Sequence, residues 1–122
     1  MISVIVPTLN EISNIDQTIF RLKKLFKEIE IKYEIIFVDD KSTDGTIAKI
    51  ENYKKKLKTI KLIISKKKRG LGYALKQGVD LSKGKYILFL DADNSVDNSF
   101  LKNMINKKDD DTLVIGSRYI KN

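Results

Sequence analysis

Apolar and polar positions along the chain follow two periods in turn, and this pattern predicts alternating strands and helices. Short apolar runs rich in β-branched or aromatic residues predict strands at residues 2–6, 33–38, 60–64, 86–90 and 112–115. The runs at 33–38 and 86–90 are expected to be buried, and Pro7 is expected to end the first strand. Strands that alternate with helices are typical of an α/β fold with a mostly parallel sheet and right-handed crossovers.

Helices are expected between these strands. The first extends over residues 12–29, the third over 70–81 and the fourth over 99–105. The candidate N-caps are Ser13 for the first helix, Ser42 or Thr43 for the second, and a position near Asp97 for the fourth. Asp44 is expected in the first turn of the second helix, where a negative charge is favourable. The inward positions predicted for the second and third helices are Ile47, Ile50, Leu71, Ala74, Leu75 and Val79.

Composition limits the classes of protein and of mechanism. The 122 residues are enough for one domain (1–122) with a single core, and 42% hydrophobic residues are ordinary for a globular fold. The absence of histidine and cysteine excludes disulfides, thiol nucleophiles and every mechanism that uses imidazole. A chain without cysteine suits the cytoplasm, and no signal peptide or membrane-spanning run is expected.

The net charge of +8 has several interpretations. The basic residues concentrate between positions 54 and 69. Nucleic-acid binding would use this charge to neutralise phosphates, but no aromatic residues interleave the lysines to stack on bases. An anionic membrane surface, a phosphorylated substrate or a simply solvated lysine-rich surface explains the charge equally well.

Two acidic clusters lie where predicted strands end. Asp39 and Asp40 follow the run at 33–38, and Asp91 and Asp93 follow the run at 86–90. Open α/β sheets bind ligands outside the carboxyl ends of their strands. Carboxylates there, without histidine or cysteine, favour Mg²⁺ or Mn²⁺ bridging to phosphates, which predicts a nucleotide or nucleotide-sugar site. Because adjacent strand residues face opposite sides of a sheet, only one of Asp39 and Asp40 is expected to meet the ligand.

Three further segments also follow predicted strands. Residues 7–11 (Pro-Thr-Leu-Asn-Glu) can present backbone groups, a hydroxyl and a carboxylate to a nucleotide, or can form a simple turn. Residues 69–72 (Arg-Gly-Leu-Gly) open the third helix and offer an anion seat. Residues 116–119 (Gly-Ser-Arg-Tyr) place Arg118 either on a phosphate or in an exposed loop.

Taken in order, these segments resemble the motifs of the family 2 glycosyltransferases. The most similar branch contains the dolichyl-phosphate mannose synthases and other polyprenyl-phosphate sugar transferases. The matching segments are residues 7–11, 38–46, 69–72 with Gly78, 91–93 and 116–119. The resemblance covers nearly the whole chain. It implies a GT-A fold, a Rossmann-like three-layer α/β/α arrangement, here without the C-terminal half that binds the acceptor in such enzymes.

The resemblance also implies an activity and roles for individual residues. It implies an inverting transfer of a hexose, with mannose from GDP-mannose favoured, to a polyprenyl or dolichyl phosphate at the cytoplasmic face of a membrane. It places Mg²⁺ or Mn²⁺ on Asp91, Asp93 and Ser95, and gives catalytic roles to Asp93 and Arg118. The implied nucleotide-sugar-binding residues are Pro7, Leu9, Glu11, Val38, Asp39, Asp40, Arg69, Asp91 and Ala92.

Departures from the family pattern keep alternatives open. Leu9 stands where an aromatic residue is usual, Ser95 stands where a longer metal ligand is usual, and the chain ends soon after residue 119. The first alternative is therefore a donor-binding module without catalysis, or one subunit of a split enzyme. Apolar surface on an incomplete acceptor side would favour a homodimer or a partner subunit. Nucleic-acid binding, the second alternative, rests on charge alone and is not expected.

Overall fold

The computed structural model describes residues 1–65 and 70–109. Within these ranges four strands and four helices alternate along the chain. They are β1 Ile2–Thr8, α1 Ile12–Ile29, β2 Tyr33–Asp39, α2 Thr46–Lys56, β3 Ile60–Ile64, α3 Leu71–Leu81, β4 Tyr86–Phe89 and α4 Asn98–Asn106. The strand predicted at 112–115 lies outside the described residues. None of the described helices combines the length and the apolarity that crossing a bilayer requires.

The four strands form one parallel sheet in the order β3-β2-β1-β4. β1 pairs with β2 up to Thr8 and Asp39, and with β4 up to Ile5 and Phe89. β1 thus continues through Pro7, where a strand end was predicted, and the carboxyl ends of β1, β2 and β4 lie side by side along one edge. The parallel α/β sheet confirms the predicted fold class.

Helices cover both faces of the sheet and give the predicted three layers. On one face α1, α2 and α4 enclose the larger core, which includes Val4 and Val6 of β1 and Phe37 of β2. On the other face α3 packs against Ile5 and Ile36. β1 and β2 are apolar on both faces because both of their faces are covered.

The structure corrects the prediction that β4 is buried. Its residues alternate between half-buried and exposed, and the side chains of Ile87 and Phe89 are 38% and 51% exposed. These two side chains share a face with Ile5, because Phe89 pairs with Ile5 in the parallel register. α3 lies over β1 and β2 on that face, so among the described residues it leaves much of β4 uncovered.

The buried face predicted for α3 is confirmed for Ala74, and Leu75 packs against the smaller core, but the structure corrects the prediction for Leu71 and Val79. Ala74 and Gly78 are buried, whereas Leu71 and Val79 are exposed. A Cβ atom built on Gly78 would lie 2.5 Å from Cγ2 of Ile5. Small residues therefore let α3 approach the sheet closely, and this approach turns Leu71 and Val79 outward.

α1 has its predicted bounds, but the predicted N-cap is confirmed only in α4. Asp97 is the N-cap of α4, and its carboxylate accepts a hydrogen bond of 2.8 Å from the backbone N–H of Phe100, as predicted. α1 has Glu11 rather than Ser13 at its N-cap position, and no side-chain cap is formed there. Ser13 lies inside the first turn of α1, two residues after the N-cap position, so its hydroxyl does not act as the N-cap.

Neither predicted residue caps α2, which starts later than expected. Its N-cap is Gly45, in the left-handed region with a φ of 99°, and Asp44 precedes the helix instead of lying in its first turn. Ile50 is buried as predicted. Ser42 instead contacts Asp39 of β2, and both Ser42 and Thr43 contact Asn10 of the loop after β1, as described below.

Candidate functional site

A cleft of about 350 Å³ opens at the carboxyl edge of the sheet, beside the start of α3. Its lining residues come from the ends of β1 and β2 and from α3, and are Pro7, Thr8, Leu9, Glu11, Val38, Asp40, Gly70, Leu71 and Ala74. Five of the predicted nucleotide-sugar-binding residues (Pro7, Leu9, Glu11, Val38 and Asp40) are therefore brought together here. The volume is in the range of small-molecule sites.

A larger groove of about 620 Å³ lies at the opposite, amino edge of the sheet. Its floor is mostly apolar, with Met1, Phe26 and Tyr33, and it contains none of the predicted site residues. Ligands of open parallel sheets bind at the carboxyl edge, so the smaller cleft is the candidate site.

Asp39 and Asp40 take opposite sides of the sheet. Asp39 is fully buried, and its carboxylate accepts hydrogen bonds of 2.7 Å from Thr8 Oγ1, Ser42 N and Ser42 Oγ. Asp40 is half-exposed and lines the cleft. Asp39 thus joins two loops, and the Asp40 side chain is open to the cleft.

The loop after β1 is bound to the loop after β2 by hydrogen bonds between residues far apart in sequence. The four bonds run from Asn10 N to Ser42 Oγ (2.8 Å), from Thr43 N to Asn10 Oδ1 (2.9 Å), from Glu11 N to Thr46 Oγ1 (3.0 Å) and from Ile12 N to Asp44 Oδ2 (3.2 Å). Asn10 has a φ of 54°, in the left-handed region that asparagine tolerates better than most residues. Polar residues that sequence reasoning assigned to helix caps therefore hold the rim of the cleft.

Asp44 stands between the starts of two helices. Its carboxylate accepts hydrogen bonds from Ile12 N, the first residue of α1, and from Thr46 N and Oγ1 at the start of α2. The Thr46 hydroxyl lowers the pKa of Asp44, and the backbone N–H groups add to this effect. One ionised carboxylate thus complements the positive ends of both helix dipoles.

The Asp-Ala-Asp segment adjoins the end of β1 on the side away from β2. Asp91 and Asp93 are exposed, whereas Ala92 between them is 2% exposed and belongs to the larger core. The Ala92 side chain therefore anchors the segment. Asp93 Oδ1 accepts a hydrogen bond of 3.0 Å from the backbone N–H of Ser95, which closes a tight turn.

This donor set fits Mg²⁺ or Mn²⁺. Both cations take hard oxygen ligands, and Mg²⁺ in particular is commonly held by one or two carboxylates, with waters and substrate phosphates completing its shell. Asp91 and Asp93 supply two carboxylates, and Ser95 is exposed beside them. Over residues 1–65 and 70–109, no group of three or more acidic side chains is arranged to hold a metal. A cation here would depend on oxygens that the ligand brings.

Arg21 of α1 is a charged neighbour of this segment that sequence reasoning missed. Burial lowers the pKa of Arg21, and the nearby carboxylates of Asp97 and Asp93 act in the opposite direction. Its Nε and Nη2 atoms are buried without a hydrogen-bond partner in the described part of the chain. Arg21 therefore compensates the negative charge of Asp93 and Asp97. The sequence gave no sign of this role, because Arg21 lies in an ordinary amphipathic helix.

The described residues contain only part of the remaining predicted motifs. Arg69 and Arg118 lie outside them, as does the Gly-Ser-Arg-Tyr segment at 116–119. Gly70 has a φ of 81° and lines the cleft just before α3 begins. Of the segment predicted to bind an anion, residues 69–72, Gly70 and Leu71 line the cleft.

Comparison with known proteins gives a consistent set of relatives. The profile described as "Glycosyl transferase family 2" matches residues 3–122. The chain is 38% identical over 129 residues to a dolichyl-phosphate beta-glucosyltransferase of Dictyostelium discoideum, covering 96% of the chain and 39% of that protein. It is 31% identical over 118 residues to a dolichol-phosphate mannosyltransferase of Saccharomyces cerevisiae, covering 96% of the chain and 44% of the relative.

A solved structure with the same fold is a mannosyltransferase from Pyrobaculum calidifontis in complex with GDP-mannose and Mn²⁺. The superposition has a TM-score of 0.68 and 28% identity, and it covers 75% of the chain and 27% of that protein. The sheet, its helical layers and the carboxylates at the strand ends thus define an α/β domain of the GT-A type. The chain belongs to glycosyltransferase family 2, and its curated relatives include the dolichyl-phosphate sugar transferases, which confirms the resemblance. It spans less than half the length of the two curated relatives described above.

Proposed function

We propose that the chain is the donor-binding domain of a glycosyltransferase that moves a hexose from a nucleoside diphosphate sugar to a polyprenyl phosphate. The observation that carries this proposal is the placement of the cleft beside the Asp-Ala-Asp segment along one edge of the sheet. The activities of the dolichyl-phosphate relatives support the class of acceptor.

The nucleoside occupies the cleft in this proposal. Pro7 and Val38 supply apolar walls, and the carboxylates of Glu11 and Asp40 accept hydrogen bonds from a base N–H or from ribose hydroxyls. Leu9 is 47% exposed and offers an aliphatic contact where an aromatic ring is usual in the family. Arg69 and Arg118 are proposed to contact the donor phosphates, as the motif match implies.

Asp91 and Asp93, with Ser95, would hold Mg²⁺ or Mn²⁺ against the donor diphosphate. Bound there, the cation would supply positive charge to offset the charge that develops on the departing nucleoside diphosphate. The acceptor phosphate is already ionised near neutral pH, so its oxygen can attack the sugar without a general base. A chain that lacks histidine is consistent with this chemistry.

Mannose from GDP-mannose is the favoured donor. Support comes from the mannosyltransferase relative of S. cerevisiae and from the structural neighbour that was solved with GDP-mannose. Glucose from UDP-glucose is the second donor candidate, because the D. discoideum relative is a glucosyltransferase.

Donor binding without transfer is the second candidate function. The short Ser95 side chain, at a position where a longer metal ligand is usual, favours it.

The polyprenyl acceptor places the active form at a membrane surface, and we propose its cytoplasmic face.

Thermal unfolding with GDP-mannose, UDP-glucose and UDP-N-acetylglucosamine, each with and without Mn²⁺, tests the donor site. A ligand at about 100 times its Kd stabilises the native state by about 2.7 kcal/mol. We expect a metal-dependent rise in Tm with one donor. Asp93→Ala should remove it, whereas Asp80→Ala, an exposed carboxylate on α3 paired with Lys76, should keep it.

The transfer step has its own test with the same variants. Sugar incorporation into a polyprenyl phosphate would establish the enzyme, and donor binding without incorporation would favour the non-catalytic module. No rise in Tm with any of the three donors would contradict the proposed donor site.

A further inference from the structure

Asn94, which follows the Asp-Ala-Asp segment, directs its side chain into α1. It is half-buried, whereas Asp93 and Ser95 on either side are exposed. Its φ of 57° lies in the left-handed region, which lets one residue turn inward between two that face outward. Its Oδ1 atom lies 3.0 Å from Thr18 Oγ1, and its Nδ2 atom lies 3.4 Å from the backbone oxygen of Asn14.

The chemistry of these groups sets the orientation of the Asn94 amide. The backbone oxygen of Asn14 can only accept, so the Asn94 NH₂ group faces it and the amide oxygen faces the Thr18 hydroxyl. Thr18 is fully buried, and its Oγ1 also lies 2.9 Å from that same backbone oxygen. The one hydrogen of the Thr18 hydroxyl is therefore shared between these two acceptors, and the hydroxyl joins the Asn94 amide to the backbone of α1.

The same turn of α1 also reaches the cleft. Asn14 Nδ2 donates a hydrogen bond of 2.8 Å to Glu11 Oε2, and Glu11 lines the cleft. A continuous series of side-chain and backbone contacts therefore runs from Glu11 through Asn14 and Thr18 to Asn94. It joins the loop after β1 to the segment that carries the two carboxylates.

We propose that Asn94, Thr18 and Asn14 form a brace that positions the carboxylates of Asp91 and Asp93 for a divalent cation. The brace fixes the segment at the residue after Asp93, on the side of the chain facing away from the ligand. Its three members touch neither cation nor donor and are positioning residues. The inference rests on the proposed function, because it assumes that the carboxylates hold the cation of a nucleoside diphosphate.

Two variants break the brace and one preserves it. Asn94→Gly removes the amide but still allows the left-handed backbone. Thr18→Val replaces the hydroxyl with a methyl group of similar size, and Thr18→Ser keeps the hydroxyl. The probe is Mn²⁺ with GDP or UDP, measured from the electron paramagnetic resonance signal of free Mn²⁺, with thermal unfolding to verify that each variant is folded.

We expect Asn94→Gly and Thr18→Val to weaken Mn²⁺ binding about tenfold, as loss of partners that orient metal ligands does. Thr18→Ser should retain wild-type affinity, and the affinity for the nucleotide without cation should not change in any variant. NMR order parameters of the amides of Asp93 and Ser95 should fall in the first two variants only. This pattern separates positioning from a general loss of stability.

Two outcomes would overturn the inference in distinguishable ways. Unchanged Mn²⁺ affinity in Asn94→Gly and Thr18→Val, alongside normal binding by the wild type, would overturn the brace and leave the proposed function standing. Failure of the wild-type chain to bind Mn²⁺ with either nucleotide would overturn the proposed function, and the brace would fall with it.

Discussion

Asp39 and Asp40 are adjacent residues whose truncation to alanine should affect different properties: the first lowers stability and the second lowers nucleotide affinity. The Asp39 carboxylate is buried and accepts three hydrogen bonds of 2.7 Å, one from Thr8 and two from Ser42. The Asp40 side chain is half-exposed at the cleft. Asp39→Ala should therefore destabilise the fold, and Asp40→Ala should weaken nucleotide binding.

The expected loss for Asp39→Ala follows from the three hydrogen bonds. A hydrogen bond to a charged group contributes about 1.5–3 kcal/mol, so the sum sets an upper range. Water can reach the freed donors of the half-buried Ser42 but not the hydroxyl of the buried Thr8, and we expect a net loss of about 3–4 kcal/mol. That is a large share of the about 5–15 kcal/mol by which a domain is stable. Asp40→Ala should stay within about 0.5 kcal/mol of the wild type.

Urea unfolding followed by circular dichroism measures both free energies of unfolding. Titration with GDP or UDP in the presence of Mn²⁺ then measures binding by the folded variants. Asp40→Ala should bind more weakly by about tenfold, the effect of losing one hydrogen bond of about 1.4 kcal/mol. Equal stability of the two variants, or a stable Asp39→Ala that has lost nucleotide affinity, would refute the division of roles between these carboxylates.

Two further predictions concern the packing and the ion pairs of the fold. Gly78→Ala should destabilise the fold by about 1–3 kcal/mol, because the new Cβ would lie 2.5 Å from Cγ2 of Ile5. The control is Gly72→Ala in the same helix, whose Cβ would meet no atom within 4 Å. It should raise the free energy of unfolding by up to about 1 kcal/mol. Thermal melts compare them, and a more stable Gly78→Ala would disprove the close packing of α3. Burial raises the pKa of Glu34, but hydrogen bonds led by that of Lys61 outweigh it and hold the pKa below its ordinary 4.5. The stabilisation from Glu34 is thus complete above pH 4.5 and lost as the pH falls through the folded-state pKa. Glu34→Gln should lower the free energy of unfolding at pH 7 and reduce its fall with decreasing pH. Urea titrations at several pH values measure this, and the same fall in the variant as in the wild type would contradict the prediction.

The strands were predictable because their signal is local. β3 has the predicted bounds, and β2 is longer than predicted only by Asp39. β1 runs past Pro7 because β4 pairs with β1 only up to Ile5, so Pro7 lies where β1 pairs with β2 alone. Periodicity could not show which face of β4 lacks a helix, because that depends on where α3 packs.

The sequence predicted where the acidic residues of the candidate site lie, but not the residues that hydrogen-bond the surrounding loops in place. Carboxylates at the ends of parallel strands share one edge by topology, which brings Asp40 and Asp91 to the same edge, one on each side of the end of β1. Ser42 was assigned to a helix cap, because capping rules consider only residues nearby in sequence. Its partner Asn10 lies on another loop, just as the partner of Asn94 lies on α1. A buried threonine on the apolar face of α1 was the one available signal of the brace.

The most direct test of the donor site locates the cation and the nucleotide on the molecule. In ¹⁵N-labelled protein, NMR spectra with GDP or UDP and Mg²⁺ should shift the amides of Leu9, Glu11 and Asp40. Replacement of Mg²⁺ by Mn²⁺ should broaden the amides of Asp93 and Ser95 selectively through paramagnetic relaxation. Shifts and broadening confined to the groove at the amino edge, or no change at either edge, would contradict the account.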